Sequence, residues 1–162
     1  MPIYMKIEGV KGSAVGKYKD WIELSSAQLS SGRSVNSAAG RGVNREASAP
    51  SLSEIVVTKS NDIASTQLFQ LSLRGEGKKV VIHFVGKDSK GEVPYMALEL
   101  ENALISSYSV SGHGGTAGDR PMESLSLNFT KITYSTTPVA ASADAKVVKD
   151  RAMWNLAIGA GS

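Results

Sequence analysis

Cysteine is absent from the 162 residues. Disulfides, thiolate catalysis and every metal site that needs sulfur are therefore excluded. Histidine is scarce as well: His83 and His113 are the only two. A multi-histidine cage is out of reach, and a zinc site would have to be completed by carboxylates. No segment approaches the ~18–20 apolar residues of a membrane-spanning helix. The N-terminal MPIYMKIEGVKG reads as a strand with an apolar run too short for a signal peptide. The expectation is no membrane insertion and no export by the classical leader route. An excess of one charge is also missing. Eighteen basic and 15 acidic residues leave a formal charge of +3, and the two signs are interspersed. The acid-free basic stretch from Arg33 to Arg45 holds only Arg33, Arg41 and Arg45. A nucleic-acid binder concentrates its cations on one face, so no nucleic-acid partner is expected.

What is present suits one domain over residues 1–162. Hydrophobic residues are 41% of the chain, enough for a core, and charged residues are 20%, a little below the usual quarter. Ile3, Met5 and Ile7 alternate with polar neighbours, the period of a half-buried strand. Trp21 to Ser26 repeats the alternation through Ile22 and Leu24, with a possible continuation to Val35. Residues 36–50 (NSAAGRGVNREASAP) are small, polar and glycine-bearing. Long loops of this kind are usually functional or disordered. Ile55–Val57 centre the next strand. Ser65 suits a helix N-cap and Gly75 a C-terminal glycine, which predicts one helix over about 65–74. Leu68 with Leu71, and Phe69 with Leu73, give it an apolar side.

The remainder reads as strand. Lys79–Val85 (KVVIHFV) is apolar enough for both faces to be covered. Asp88–Gly91 is a turn. Residues 95–101 and 103–110 are either one long bent strand or two strands around Asn102. Residues 123–136 change parity near Lys131, which predicts a bulge or a strand passing between environments. A last strand is expected over about 146–158. Seven to nine strands and one helix make an all-β body, closed or nearly closed, with the helix packed to one side.

Catalytic patterns are lacking. His83 lies in an apolar strand and reads as a wall residue. His113 sits in a glycine loop without a G-x-S-x-G elbow anywhere. Glu99 and Glu101 share a strand face and read as a solvated surface, not a glycosidase pair. Gly112, Gly114 and Gly118 miss the dinucleotide spacing, and Gly16-Lys17 lacks the rest of a phosphate loop. Asn128-Phe129-Thr130 matches a glycosylation sequon, a weak three-residue signal. No catalytic residue, cofactor or metal is assigned.

The whole chain resembles the haemolysin-coregulated protein (Hcp) family of type VI secretion tube proteins. The resemblance is carried by Ile3–Gly12, Trp21–Leu24, Ile55–Lys59, Asp62–Ser65, Leu68-Phe69, Leu98–Tyr108, Ser111-Gly112, Glu123–Phe129, Lys131-Ile132 and Trp154, in that order. It implies a closed β-barrel of two packed antiparallel sheets, flanked by one short α-helix and an extended loop, like a phage tail tube. It implies homohexameric rings stacked into a tube that is expelled from the cell and can carry effectors in its lumen. Sheath, baseplate and spike proteins are the implied partners. The implied route runs from the bacterial cytoplasm to the extracellular space or a target cell. A contractile-phage tail tube protein is the alternative within this class, and a small enzyme with an unrecognised site the alternative outside it. Within the resemblance, the loop carrying Arg41, Gly42, Val43, Asn44 and Arg45 is expected to stack one ring on the next. Phe129 and Trp154 are expected in the core or at a subunit seam.

Overall fold

The computed structural model describes residues 1–36, 46–47, 49–88, 91–115, 118–137 and 150–161. In chain order the strands are β1 (Ile3–Ile7), β2 (Ile22–Leu24), β3 (Ser26–Gln28), β4 (Ser31–Gly32), β5 (Val35–Asn36), β6 (Glu46–Ala47), β7 (Ser51–Leu52) and β8 (Ile55–Ser60). Helix α1 (Ser65–Arg74) follows, then β9 (Lys78–Asp88), β10 (Gly91–Ser111), β11 (Met122–Asn128), β12 (Lys131–Thr136), β13 (Asp150–Asn155) and β14 (Ala160–Gly161).

Ten strands share one hydrogen-bonded network, and β10 folds it into two layers. The N-terminal half of β10 pairs with β9 on one side and β12 on the other. Beyond β9 come β1 and β2, and beyond β12 come β13 and β14. The C-terminal half of β10 pairs instead with β11, which carries β8 and then β3. The bend lies where the β9 register slips between Leu100 and Ala103, and Asn102 there has φ 50°. Residues 91–111 are thus one strand, and Asn102 is its hinge between layers.

The expected closed barrel is not what forms. The pairing path has free ends at β14, β2 and β3. The break is local: β2 pairs with β1, whereas β3, one residue later, pairs with β8. Ser25 turns the corner, and its N–H donates to Thr58 O at 2.8 Å. A chain that changes layers in one residue makes a corner, not a continuous ladder. The parity switch in 123–136 has the same cause. The stretch expected as one long strand is in fact two: β11 ends at Asn128 in the second layer and β12 begins at Lys131 in the first.

Both inner faces supply one core, with Met5, Ile22, Ile82, Leu98 and Leu100 facing Ile55, Val57, Leu125 and Leu127. Burying each such side chain contributes ~1.5–3 kcal/mol. The outer side of β9 is also covered, by the segment Gly9–Trp21. There Tyr18 stacks on Tyr4 with ring centroids 4.4 Å apart, and Ala14, Tyr18 and Val85 form a second small core.

Helix α1 occupies the predicted span and ends on Gly75, whose φ is 66° and whose N–H reaches Leu71 O. Two details differ. Ser65 is the first helical residue, not the cap, and Ala64 precedes it without a side-chain cap bond. Of the expected apolar side, Leu68 is buried and Leu71 packs on the core, but Phe69 and Leu73 are exposed. The final strand stops at Asn155, after which the chain turns and β14 folds back on β13.

Candidate functional site

Of the residues singled out in the sequence, Arg41, Gly42, Val43, Asn44 and Arg45 lie outside the described residues. The two ends of their segment are tied together. β4 pairs with β7 and β5 with β6, so antiparallel pairing extends into the stretch read as loop. Residues 146–149 of the expected last strand also lie outside the described residues. Phe129 is buried in the main core, and Trp154 packs partly buried against it from the facing position of Ile132.

The other candidates stay apart from one another. His83 sits on the outer side of β9 beside Tyr18 and Trp21. His113 belongs to the 112–121 loop and borders an open cavity of about 850 Å³ with Ser60, Arg120 and Met122. Glu99 and Glu101 are each paired with a lysine, Lys79 at 3.9 Å and Lys131 at 3.5 Å, and all four are substantially exposed. No group of three or more potential metal-ligating residues occurs among the described residues.

What the motif search missed is a buried ion cluster. Lys59 on β8 is fully buried and Glu123, its register partner on β11, is 1% exposed. The Lys59 ammonium lies 2.7 Å from Glu123 Oε2 and 2.8 Å from Asp62 Oδ1. It also donates to Ser60 O at 2.8 Å and Ser65 Oγ at 3.2 Å. Glu123 Oε1 accepts from Asn61 Nδ2 at 2.8 Å and from the Tyr108 hydroxyl at 2.9 Å. Asp62 takes the Ala64 N–H, and Ser65 Oγ takes the Asp62 N–H. The cluster therefore ties β8, β11, β10 and the start of α1 together. It also explains the missing cap: the Ser65 hydroxyl faces Lys59 and Asp62 instead.

The electrostatics follow from this geometry. Burial alone would raise the Glu123 carboxyl. The hydrogen bonds from Lys59, Ser65, Asn61 and Tyr108 together outweigh it and hold the group below its ordinary value. Tyr108 is pushed up to about 12, first by burial and then by its bond to the Glu123 carboxylate. Every buried polar side-chain atom among the described residues has a partner. A group so fully committed is a structural anchor and offers no nucleophile or base. The signal was in the parity: Lys59 falls in step with Ile55 and Val57, and Glu123 with Leu125 and Leu127, so both had to point inward.

The two outer faces differ in chemistry. That of the first layer carries Lys6, Lys79, Glu99, Glu101 and Lys131 beside an aromatic group in which Lys6 sits 5.9 Å from the Trp21 ring. That of the second layer is uncharged only in its three middle rungs; beyond them Glu54, just before β8, accepts from Ser106 Oγ at 2.8 Å and from Asn128 Nδ2 at 3.3 Å. The central rung of this layer runs Ser26–Thr58–Ser124–Ser109 across four strands. The rung on one side is Gln28–Val56–Ser126–Ser107, and on the other Ser60–Met122–Ser111. Both edges of this layer are open: among the described residues, β3 pairs only with β8, and positions 104–111 of β10 pair only with β11.

Comparison with known proteins gives a consistent picture. The profile of the family described as "Type VI secretion system effector, Hcp" matches residues 4–135. The fold is similar to a solved structure described as a type six secretion system protein, with 23% identity, 99% of each chain covered and a TM-score of 0.86. It is similar to Hcp1 from Salmonella typhimurium at 17% identity over 99% of this chain and 98% of that one, TM-score 0.74. It also resembles secreted Hcp3 from Pseudomonas aeruginosa at 19% identity over 92% and 98%, TM-score 0.58. No curated protein matches by sequence.

Proposed function

The chain belongs to the type VI secretion Hcp family, and from that premise we propose how its parts are used. It is a structural tube subunit: hexameric rings stack into the inner tube of the secretion apparatus, which is expelled and can carry effectors in its lumen. Its role is not enzymatic. The finer assignments are ours. The partners beyond its own copies are the sheath around the tube, the baseplate beneath it, the spike at its tip and effectors inside. Assembly takes place in the bacterial cytoplasm, and the subunit leaves through the apparatus itself. Residues 36–50 make the ring-on-ring contact, with Arg41 and Arg45 meeting carboxylates of the next ring. That loop is polar and gains little by folding on its own body, while fixing each backbone residue costs ~1–2 kcal/mol. A neighbouring ring supplies the missing contacts.

The family match over residues 4–135 carries the reading. The open edges of the second layer support it, because unpaired strand edges are a liability that ring closure removes. Native mass spectrometry or light scattering tests it. The expected species is six copies of the 17.1 kDa chain. A strictly monomeric chain across the micromolar range overturns it.

A further inference from the structure

We infer that the loop joining β1 to β2, residues 9–21, is a flap that lifts off the outer side of β9 as one body, with the bond from Ser13 to Asp62 as its latch. In its closed position it hides an aromatic and apolar strip of the first layer. Three features carry this: the loop's own bonds, its seat, and the tethers that hold it down. None of them depends on how copies of the chain assemble.

The loop is closed on itself. Gly12 N–H donates to Asp20 O at 2.8 Å, Ala14 N–H to Trp21 O at 3.0 Å and Asp20 N–H to Ala14 O at 3.0 Å. Inside that neck lies the single turn Gly16–Tyr18, where the Lys19 N–H returns to Gly16 O. A compact loop with bonded ends keeps its shape without the surface beneath it. Its joints to the sheet are Gly9, with φ 80°, and the step from Trp21 to Ile22. They follow β1 and precede β2, which are paired neighbours, so the two joints sit side by side and serve as one hinge.

The seat is small and separate. Of the loop's side chains only Ala14 and Tyr18 are buried, and with Val85 they form a core distinct from the main one. Tyr18 stacks on Tyr4 and meets the His83 ring edge-on at 5.8 Å. Lifting the loop therefore leaves the sandwich core intact, the condition for a local opening that costs less than global unfolding. It also changes what this side presents. The closed loop shows Val15 and Lys17, both exposed; the lifted one uncovers Tyr4, His83 and Val85. Hydrogen bonds tie the loop down at three further points. Ser13 Oγ donates to Asp62 Oδ2 at 3.0 Å, Lys11 N–H to Gln67 Oε1 at 3.2 Å, and the Lys17 ammonium to Glu92 O at 2.5 Å. The first is the latch because its acceptor is prepared. Asp62 Oδ1 is held by the Lys59 ammonium at 2.8 Å and by the Ala64 N–H at 3.0 Å, which aims Oδ2 at Ser13. The other two each use a long, exposed side chain, Gln67 or Lys17, that loses rotamer freedom when it bonds.

The chain has no cysteine, so single thiols report where a small reagent reaches. Val15→Cys lies on the loop's exposed surface, Val85→Cys beneath it and Ile82→Cys in the main core. In the native protein, dithionitrobenzoate should label position 15 at once, position 85 at least about tenfold slower, and position 82 slower again, at the rate set by global unfolding. Low urea should speed labelling at 82 steeply and at 85 hardly, because lifting the loop exposes little surface. Ile55→Val weakens the main core, which the lifted state keeps, so it should raise the rate at 82 several-fold and leave that at 85 unchanged. Ser13→Ala should raise the rate at 85 several-fold; an unchanged rate removes the Ser13 bond as the latch. Labelling at 85 that follows 82 in rate, urea dependence and response to Ile55→Val overturns the inference. So does a rate at 85 equal to that at 15, which means that the loop is not seated. A thiol at 15 as slow as one at 85 means that the loop is held in a contact and not free to lift. Where a cysteine variant fails to fold, the wild type still decides. Amide exchange read residue by residue should release the Lys11 N–H, bonded across to Gln67, ahead of the Ala14 N–H, bonded within the loop. Equal exchange at the two means a fraying loop, not one body, and overturns the flap.

Discussion

Replacing Lys59 by methionine isolates what the buried ion cluster contributes. The methionine keeps most of the volume and removes only the ammonium. Glu123 would then keep Asn61 and Tyr108 as donors but lose the cation 2.7 Å away. Asp62 would lose the same cation at 2.8 Å. Two carboxylates would face each other across an apolar group in a site closed to water. Removing one partner of a buried ion pair costs about 3–5 kcal/mol. That is a large share of a total stability of roughly 5–15 kcal/mol. Urea unfolding followed by the fluorescence of Trp21 and Trp154 measures it, at one fixed protomer concentration because ring formation is linked to stability. The midpoint should fall sharply with the slope unchanged. Lys59→Met/Glu123→Leu should recover part of the loss, since two apolar groups replace a desolvated pair, although Asn61, Asp62 and Tyr108 are left short of partners. Acid should narrow the gap between wild type and Glu123→Gln. The Glu123 carboxyl is held below its ordinary value, so its contribution is full above the unfolded carboxylate value and fades as pH falls through the folded one. A Lys59→Met chain within ~0.5 kcal/mol of wild type, the range of an ordinary surface change, would refute the reasoning.

Three further outcomes follow from other parts of the molecule. Tyr108 is pushed up to about 12 from an ordinary 10.0, so its neutral form stabilises the fold below pH 10, and this contribution is lost as pH rises through 12; Tyr4 and Tyr18 are raised as well, and ultraviolet titration should lose part of its late tyrosinate signal in Tyr108→Phe. Gly12→Ala should cost ~1–3 kcal/mol through overpacking, because the new methyl group would meet the backbone of Trp21 and Ile22, and an unchanged melting temperature would contradict that close approach. Deleting residues 38–46 should leave the sandwich folded and the single ring intact while tubes fail to form in electron micrographs. Normal tubes from that deletion would remove the loop from the stacking contact.

Local pattern carried the sequence reading far along single elements. The period-two burial of β1, the span of α1 and its glycine stop, and the parity switch near Lys131 were all visible as side-chain alternation or cap chemistry. The closed barrel was wrong because closure depends on which strand pairs with which, and a one-residue corner at Ser25 looks the same in sequence as an uninterrupted strand. Phe69 and Leu73 misled for a related reason. Their spacing matches a buried helical face, but the helix is turned so that Leu68 and Leu71 take that place. The ion cluster was half legible. Inward parity of Lys59 and Glu123 follows from their neighbours, but their meeting needs the β8–β11 register, which only the fold supplies. The hydroxyl row likewise emerges only when Ser26, Thr58, Ser124 and Ser109, drawn from four strands, come to lie side by side.

Among the described strands β10 is the one that belongs to both layers, running from Gly91 to Ser111. At about 3.3 Å per residue it is some 70 Å of continuous backbone before bending. A tube subunit is accelerated when the apparatus fires, and apart from the corners at Ser25 and between β11 and β12 the layers of this sandwich are coupled through side chains that slide past one another. Here the covalent chain itself crosses from one layer to the other, held by hydrogen bonds loaded in shear on both sides of its first half and on one side of its second. Tension applied to the first layer therefore reaches the second through peptide bonds. The Asn102 bend, where register is already irregular, is where the molecule should yield first under force.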